Sequence, residues 1–188
     1  MAEDRRIRRT KQRMNNALGA LLLEKPLKSI TVREIAELAD INRGTFYLHY
    51  KDVFDMAEQV LNEVFEKFDA IVSSHDPQKS DDSPLPLLVN IFELMTENAS
   101  LTQCMMGKHG DAAFVDKLKN IIREKCFVQL KDLFHFENED EWNYYYNFII
   151  SGCIGLIGTW LENGQKETPQ QMAALAEKII LNSMKAFT

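Results

Sequence analysis

The sequence predicts an all-α protein of about nine helices. Apolar residues recur three or four positions apart, and no run shows the period-two alternation of a half-buried strand. The five prolines fall where helices would begin or break. With 188 residues, of which 45% are hydrophobic and 27% charged, the chain suits one domain, or a small domain joined to a modest second one.

Four helices are expected in the first 74 residues, and local signals mark their ends. Lys25-Pro26 stops the first helix, a capping box at Thr31 and Glu34 starts the second, and Asn42 can cap the third. Apolar spacing after Asp52 marks a long fourth helix. The expected bounds are about Asp4 to Glu24, Val32 to Ala39, Asn42 to Tyr50 and Asp52 to Ser74.

Residues 75–86 are the expected linker, because they hold three prolines and many turn-forming residues. Beyond it, proline at the first helical position after Ser83 and after Thr168 marks two helix starts, and Asn163-Gly164 marks a stop. The expected helices are about 84–98, 101–107, 111–135, 140–163 and 168–187.

Charge is unevenly distributed along the chain. The formal net charge is −6, which taken alone would argue against a nucleic-acid partner. Residues 1–51, however, hold 11 Lys and Arg against 6 Asp and Glu, whereas residues 52–188 hold 11 against 22. Seven of the eight arginines lie in the first part. This pattern predicts a cationic module joined to an acidic body, so DNA would approach the basic end.

The third expected helix has one face suited to reading DNA. Phe46 and Tyr50 are four positions apart and can face inward with Ile41. A short helix that follows a turn and presents a polar face is the arrangement that enters a major groove. The residues left outward are Arg43, Gly44, Thr45, Tyr47, Leu48 and His49.

Base contacts are expected from part of this face. The Arg43 guanidinium can bind O6 and N7 of a guanine, and Thr45 or Leu48 can contact a thymine methyl. Gly44 lets the backbone approach the groove closely.

Phosphate contacts are expected from Tyr47, Lys51 and Thr31, the last at a helix N-terminus. Some of the outward residues have a plainer interpretation: Tyr47 and His49 can be ordinary surface or half-buried residues, and Thr31 can be only a cap. The helix-turn-helix shape also occurs in proteins that never touch DNA. The presence of all these features in one basic segment of 51 residues favours DNA.

Residues 7–56 strongly resemble the DNA-binding domain of the TetR/AcrR family of bacterial regulators, above all in segment 30–52, ITVREIAELADINRGTFYLHYKD. One departure is Val53, where many relatives have a lysine, so a phosphate contact is missing there. By matching position, the resemblance implies DNA contacts for Thr31, Arg43, Gly44, Thr45, Tyr47, His49 and Lys51.

The resemblance also implies an assembly and a mechanism. A homodimer would place two recognition helices in successive major grooves of a palindromic operator. A small-molecule effector in the C-terminal domain would change their spacing, and repression is the commoner activity in this family. The chain then divides into a helix-turn-helix DNA-binding domain (1–51), a long connecting helix (52–74) and an effector-binding and dimerisation domain (75–188).

The C-terminal part carries a second resemblance. Segment 144–164, YYYNFIISGCIGLIGTWLENG, followed by Thr168-Pro169, is similar to a type common in family members of low-GC Gram-positive bacteria. These include regulators related to dihydroxyacetone kinase operons. The resemblance implies no particular effector.

The penultimate helix has two apolar faces, one of large side chains and one flatter face rich in glycine. A helical glycine costs about 1 kcal/mol relative to alanine, so Gly152, Gly155 and Gly158 call for close approach by another helix. We predict an isologous dimer interface here, with ordinary packing within the chain as the alternative. The predicted residues are Phe148, Ser151, Gly152, Gly155 and Thr159, with Met172, Leu175, Ala176, Ile179 and Ile180 of the last helix.

An effector pocket is a further expectation. Methionine-rich aromatic surroundings make adaptable cavities, although such a stripe is more often plain core. His109 is the titratable group to test first. The candidates are Phe92, Met95, Cys104, Met105, Met106, His109, Phe114 and Tyr145.

Other function classes lack their motifs. The helical glycines follow no strand, Gly107-Lys108 lacks the rest of a phosphate loop, and no Gly-x-Ser-x-Gly occurs. Four scattered histidines and three separate cysteines show no metal-ligand or disulfide pattern. We therefore expect no catalysis, no cofactor and no metal.

The most apolar stretch, residues 148–161, is too short and interrupted to span a bilayer, and the start lacks a secretory signal, so a cytoplasmic protein is expected. The competing hypothesis is a helical ligand-binding coactivator or partner protein that keeps this fold without functional DNA binding.

Overall fold

The computed structural model describes residues 2–75, 83–106, 112–127 and 138–185, and all regular structure within these ranges is helical. This confirms the predicted all-α class. The helices are α1 (Ala2–Glu24), α2 (Val32–Leu38), α3 (Arg43–Tyr47), α4 (Val53–Ser74), α5 (Leu85–Glu97), α6 (Ala99–Met106), α7 (Ala112–Ile122), α8 (Glu139–Glu162) and α9 (Pro169–Met184). A short 3-10 helix, Leu27–Ser29, precedes α2, and a π-helical segment, Arg123–Phe127, extends α7.

Two helix ends differ from the sequence expectation. Helix α3 stops at Tyr47 rather than near Tyr50, although the Tyr50 amide still donates to the Phe46 carbonyl at 3.0 Å. The chain is then extended at Asp52, whose side chain caps α4 by accepting the amides of Phe54 and Asp55 at 2.8 and 2.9 Å. Helix α7 changes to π geometry at Arg123. The rest of its expected length, 128–135, and most of the expected linker, 76–82, lie outside the described residues.

A first hydrophobic core joins α1, α2, α3 and the first half of α4. Its centre is fully buried, with Met14, Leu18, Ile35, Phe46 and Met56 at 0% exposure. Helices α1, α2 and α3 each contribute apolar side chains to this core, which explains why helices as short as α2 and α3 are stable here. The core therefore holds α3 rigidly from beneath.

A second core forms where the later part of α4 meets α5, α7, α8 and α9. Phe92 of α5 packs edge-on against Trp160 of α8, with ring centroids 5.4 Å apart, and α9 lies along α5. A third cluster surrounds the start of α8, where the Tyr146 hydroxyl donates to the Lys119 carbonyl of α7. No helix in the described ranges combines the length and apolar character that a membrane crossing needs.

Helix α6 ties the two halves together. Its Leu101 is buried in the first core although it follows α5 in the chain. Gly19 of α1 lies against Ser100, and the Cys104 thiol donates to the Leu22 carbonyl at 3.6 Å. Met105 packs against both cores. Helix α6 is therefore in direct contact with α1 as well as with the second core.

Candidate nucleic-acid interface

The start of α2 is built by the predicted capping box. The Glu34 amide donates to Thr31 Oγ1 at 3.3 Å, and the Thr31 amide donates to Glu34 Oε2 at 3.0 Å. Lys25 also pairs with Glu34. The Lys25 ammonium and the Thr31 donors lower the pKa of Glu34 to about 2. The Thr31 side chain stays exposed, so the same hydroxyl that caps α2 also faces solvent.

The turn between α2 and α3 is fixed by a contact from α1. Asp40 takes a positive φ of 50°, a conformation that aspartate tolerates better than most residues. The Arg13 guanidinium donates to the Asp40 carbonyl at 3.1 Å and to its carboxylate at 2.8 Å. The Ile41 amide then donates to the Ala36 carbonyl at 2.9 Å. These bonds set the angle at which α3 leaves the turn.

Helix α3 has the two faces that its spacing predicts. Asn42 caps it by accepting the Gly44 amide at 2.9 Å. Phe46 is fully buried, and its ring meets Tyr50 with centroids 5.6 Å apart. The outward residues Arg43, Gly44, Tyr47 and Leu48 are exposed, Leu48 at 81%, whereas Thr45 and His49 are half-buried.

The segment after α3 is held by the cap of α4. The Lys51 amide donates to Asp55 Oδ2 at 2.8 Å, which leaves the exposed Lys51 side chain free of that contact. This backbone hydrogen bond, followed by one from Gln59, lowers the pKa of Asp55. Val53, the position at which the sequence departs from the resemblance, is buried in the first core and serves packing in this chain.

The arginines of this region differ in their pairing. Arg13 binds Asp40, and Arg33 binds Glu37 at 2.7 Å, so part of their charge is neutralised. Arg43 has no hydrogen bond or ion pair within the described ranges. A free guanidinium on the exposed face of α3 is available for an external acceptor such as a base edge or a phosphate.

The structure places the predicted effector residues in three parts of the fold: the second core, the cluster at the start of α8, and α6. Phe92, Met95 and Phe114 are buried together in the second core. Tyr145 belongs to the neighbouring cluster at α8, and its hydroxyl lies 3.1 Å from the Ser183 hydroxyl. In α6, Cys104, Met105 and Met106 are half-buried, and burial raises the pKa of the Cys104 thiol. His109 lies outside the described residues.

The predicted interface residues divide into two groups. Phe148, Gly152, Gly155 and Thr159 of α8 are exposed with Ser151, as are Leu175 and Ile179 of α9. Met172 and Ala176 were also expected there but are buried in the second core, because the inner face of α9 packs on α5, while Ile180 is half-buried. A Cβ placed on Gly152, Gly155 or Gly158 would meet nothing within 4 Å.

Protein metal ions are usually held by clusters of His, Cys, Asp or Glu side chains. Within the described ranges, no group of three or more His, Cys, Asp or Glu side chains is arranged to hold a metal ion. Cys104 and Cys153 are free thiols, and burial raises the pKa of Cys153 to about 11.

The chain is similar to known transcriptional regulators in both sequence and structure. Residues 82–182, more than half of the chain, match the TetR family model described as a transcriptional regulator C-terminal region. The uncharacterised HTH-type transcriptional regulator YxbF of Bacillus subtilis strain 168 is 42% identical over 53 residues. That match covers 28% of this chain and only 14% of the length of that relative.

Solved structures share the whole fold. The dihydroxyacetone kinase operon activator DhaS superposes with a TM-score of 0.62 at 14% identity, covering 95% of this chain and 97% of its own. A TetR transcriptional regulator from Streptococcus agalactiae 2603V gives 0.54 at 22% identity, covering 96% and 98%. Together with the family match over the C-terminal half, these similarities confirm the resemblance found in the sequence: the chain belongs to the TetR family of transcriptional regulators.

Proposed function

We propose that this protein is a transcriptional repressor that binds a palindromic operator as a homodimer through α3 and is released by a small molecule. The exposed face of α3 carries the proposal. Arg43, Tyr47 and Leu48 face solvent above a base of buried Phe46 and Tyr50, and a helix held in this way can enter a major groove without losing its shape.

Each outward residue is assigned a role by its chemistry. Arg43 contacts a guanine, Leu48 or Thr45 meets a thymine methyl, and Gly44 keeps the helix start close to the groove. Contacts with the DNA backbone set the register but read no sequence. They are assigned to Thr31, the N-cap of α2, and to Tyr47, His49 and Lys51, at the end of α3 or just after it.

The test compares Arg43→Ala with Arg33→Ala on DNA upstream of the protein's own gene. Both variants remove one guanidinium from the same domain, but Arg33 is paired with Glu37 on α2. Arg43→Ala is expected to weaken binding by about 1–3 kcal/mol and to relax the preference at one base pair. Arg33→Ala should leave sequence preference unchanged.

The other outcomes are equally informative. Uniform weakening of Arg43→Ala on every operator variant would make Arg43 a phosphate contact. If the wild-type dimer shows no salt-sensitive binding to this DNA, the DNA-binding proposal fails and the partner-protein hypothesis is favoured.

The homodimer is proposed to form through α8 and α9. Phe148 is 71% exposed, and Leu175 and Ile179 are 44% and 50% exposed, although all three are apolar. The space beside Gly152 and Gly155 is empty within the described chain, so no intrachain contact compensates for the loss of helix propensity. A second copy packing on this face would bury the apolar side chains and fill that space.

Analytical ultracentrifugation tests this interface. Phe148→Glu and Ile179→Glu are each expected to weaken dimerisation by at least about tenfold, because each places an unpaired charge in a buried contact. Ala174→Glu is the matched control, since Ala174 is exposed on α9 but is not among the predicted interface residues. Equal dimerisation by all three variants would refute this choice of interface.

The effector is proposed to act on the second core beside α6. Phe92, Met95 and Phe114 lie in this core, and Met105 of α6 packs against both cores. A ligand that separates the side chains of the second core would therefore displace α6, and with it α1 and the DNA-binding domain. Cys104 of α6, Tyr145 of α8 and His109 stay candidate ligand contacts.

A thermal-shift screen of small molecules tests the effector proposal. Compounds that raise the melting temperature are expected to weaken operator binding of the wild type, and to do so much less in Met105→Ala. Hits that leave DNA affinity unchanged would contradict it.

The repressor proposal is tested by deleting the gene. The deletion should raise expression from a reporter under the gene's own upstream region; a fall would show an activator.

A further inference from the structure

The first two turns of α1 protrude from the N-terminal domain. Residues 5–9 are all exposed, and even the apolar Ile7 is 43% exposed. Burial begins further along the helix, with Met14, Ala17 and Leu18 at 3% exposure or less. This protruding part carries four arginines: Arg5, Arg6, Arg8 and Arg9.

The guanidinium groups of these four arginines have no partner within the described part of the chain. Of the other four arginines in the sequence, Arg13, Arg33 and Arg123 are hydrogen-bonded to Asp40, Glu37 and Asn143 respectively, and only Arg43 of α3 is also free in the described ranges. Like charges on neighbouring helix turns repel one another. An anionic partner such as a phosphate would relieve this repulsion among the protruding arginines.

Arg13 shows where the protruding part lies relative to α3. Its guanidinium contacts Asp40, three residues before Arg43, so this face of α1 meets the turn that leads into α3. Arg9 and Arg5 lie four and eight residues earlier, about 6 and 12 Å further along roughly the same face. Arg6, seven residues before Arg13, lies on this face too, so Arg9, Arg6 and Arg5 continue outward along α1 from the contact with the turn before α3.

We propose that Arg5, Arg6 and Arg9, which lie on roughly the same face of α1 as Arg13, form a second DNA contact, which binds phosphates of the duplex flanking the base pairs that α3 faces. This inference rests on the proposed DNA binding by α3 and adds a sequence-independent contact to it. The major groove is about 12 Å wide, so a helix seated in it brings the neighbouring turn close to the phosphates at the groove edge.

A DNA duplex is a better partner for the free arginines of α1 than an acidic protein surface is. The free arginines of α1 continue from Arg13, which contacts the turn before α3, and they belong to the same domain as the free Arg43. A duplex bound by α3 would therefore pass beside them. The rest of the chain, residues 52–188, has 22 acidic against 11 basic residues and would repel phosphate. Only the basic end of the molecule can therefore follow the duplex outward.

The test compares two double variants of the full-length protein with the same change in charge. Arg5→Gln/Arg9→Gln removes two free arginines of the protruding turns, and Lys166→Gln/Lys178→Gln removes two exposed lysines of the C-terminal region. Binding is measured against salt concentration on an operator duplex with about ten flanking base pairs on each side, and on the same operator without flanks. Hydroxyl-radical footprinting maps the protected phosphates.

On the flanked duplex, the arginine variant is expected to bind at least about tenfold more weakly at low salt. The slope of log affinity against log salt should fall by about 0.9 for each phosphate that the variant no longer binds. Footprint protection should shrink at its outer edges, with base preference unchanged. On the short duplex it should bind like the wild type, and the lysine control should match the wild type on both.

A salt slope and footprint identical to those of the wild type would overturn the inference, whereas weak binding by Arg43→Ala in the same experiment would still support α3. An altered dimerisation constant with an unchanged salt slope would also overturn it, because the arginines would then contact the second subunit and not DNA. If the wild type binds neither duplex, the function proposed for α3 has failed and the inference fails with it.

Discussion

Gly19 allows α1 and α6 to pack closely, and a side chain at this position should strain that contact. A Cβ at this position would lie 2.8 Å from the Ser100 Cβ and 3.2 Å from the Leu101 amide nitrogen, both shorter than an ordinary contact of 3.4 Å or more. The Leu101 backbone cannot rotate away, so Gly19→Ala must push α6 outward. Overpacking of this kind costs about 1–3 kcal/mol.

An opposing effect reduces the observed change. Alanine stabilises a helix interior by about 1 kcal/mol relative to glycine, so we expect Gly19→Ala to be neutral or to lower the free energy of unfolding by up to about 2 kcal/mol. A double-mutant cycle with Ser100→Gly separates the two effects, because the gain in helix propensity from Gly19→Ala is the same in both halves of the cycle and cancels. We expect a coupling energy of about 1–2 kcal/mol, with partial rescue in the double variant.

Urea unfolding provides the measurement. Gly158→Ala is the control, since a Cβ at Gly158 meets nothing within 4 Å, and it should raise stability by about 1 kcal/mol. If Gly19→Ala is stabilised as much as Gly158→Ala, and its coupling to Ser100→Gly is below about 0.3 kcal/mol, the contact is not restrictive and the reasoning is wrong. The same variants test transmission, because an outward shift of α6 should also change DNA affinity.

Three further predictions concern stability. Tyr50→Phe should raise the free energy of unfolding by about 1 kcal/mol in urea titration, because the Tyr50 hydroxyl is buried without a partner in the described chain; a loss would show that it has one. Leu101→Ala should lower it by about 2–4 kcal/mol, since it empties a buried site in the first core, and a loss below about 1 kcal/mol would contradict that packing. Glu34 has a pKa of about 2 in the folded protein against an ordinary 4.5, so its contribution is complete above pH 4.5 and is lost as pH falls toward 2. The stability difference between wild type and Glu34→Gln should therefore shrink over this range in acid titration, and a constant difference would contradict it.

The local elements could be predicted well because their signals act within one helical turn. Both capping boxes, at Thr31 and at Thr168, are present with the predicted hydrogen bonds. Asn42 caps α3, and the spacing of Phe46 and Tyr50 gave the buried face correctly. Such signals need only neighbouring residues, so they can be read without knowing what the helix packs against.

Contacts between segments far apart in the sequence could not be predicted from such local signals. Periodicity showed that α9 has an apolar stripe, but it could not show that Met172 and Ala176 face α5 while Leu175 and Ile179 stay exposed. Nothing in the sequence near Leu101 indicated that it belongs to the core of the first three helices. An apolar stripe specifies burial but not the partner.

The sequence by itself determined the helical class, the basic end and the outward face of α3, because charge, capping and helical spacing are local properties of the chain. Only the tertiary structure decided which arginines are free and where α6 lies. Arg13 and Arg43 look alike in sequence. Asp40 lies 27 residues after Arg13 and three residues before Arg43, yet it is hydrogen-bonded to Arg13 and not to Arg43. Whether an arginine is unpaired and which helices α6 contacts both depend on distances between segments far apart in sequence. Folding sets those distances by packing the whole core at once.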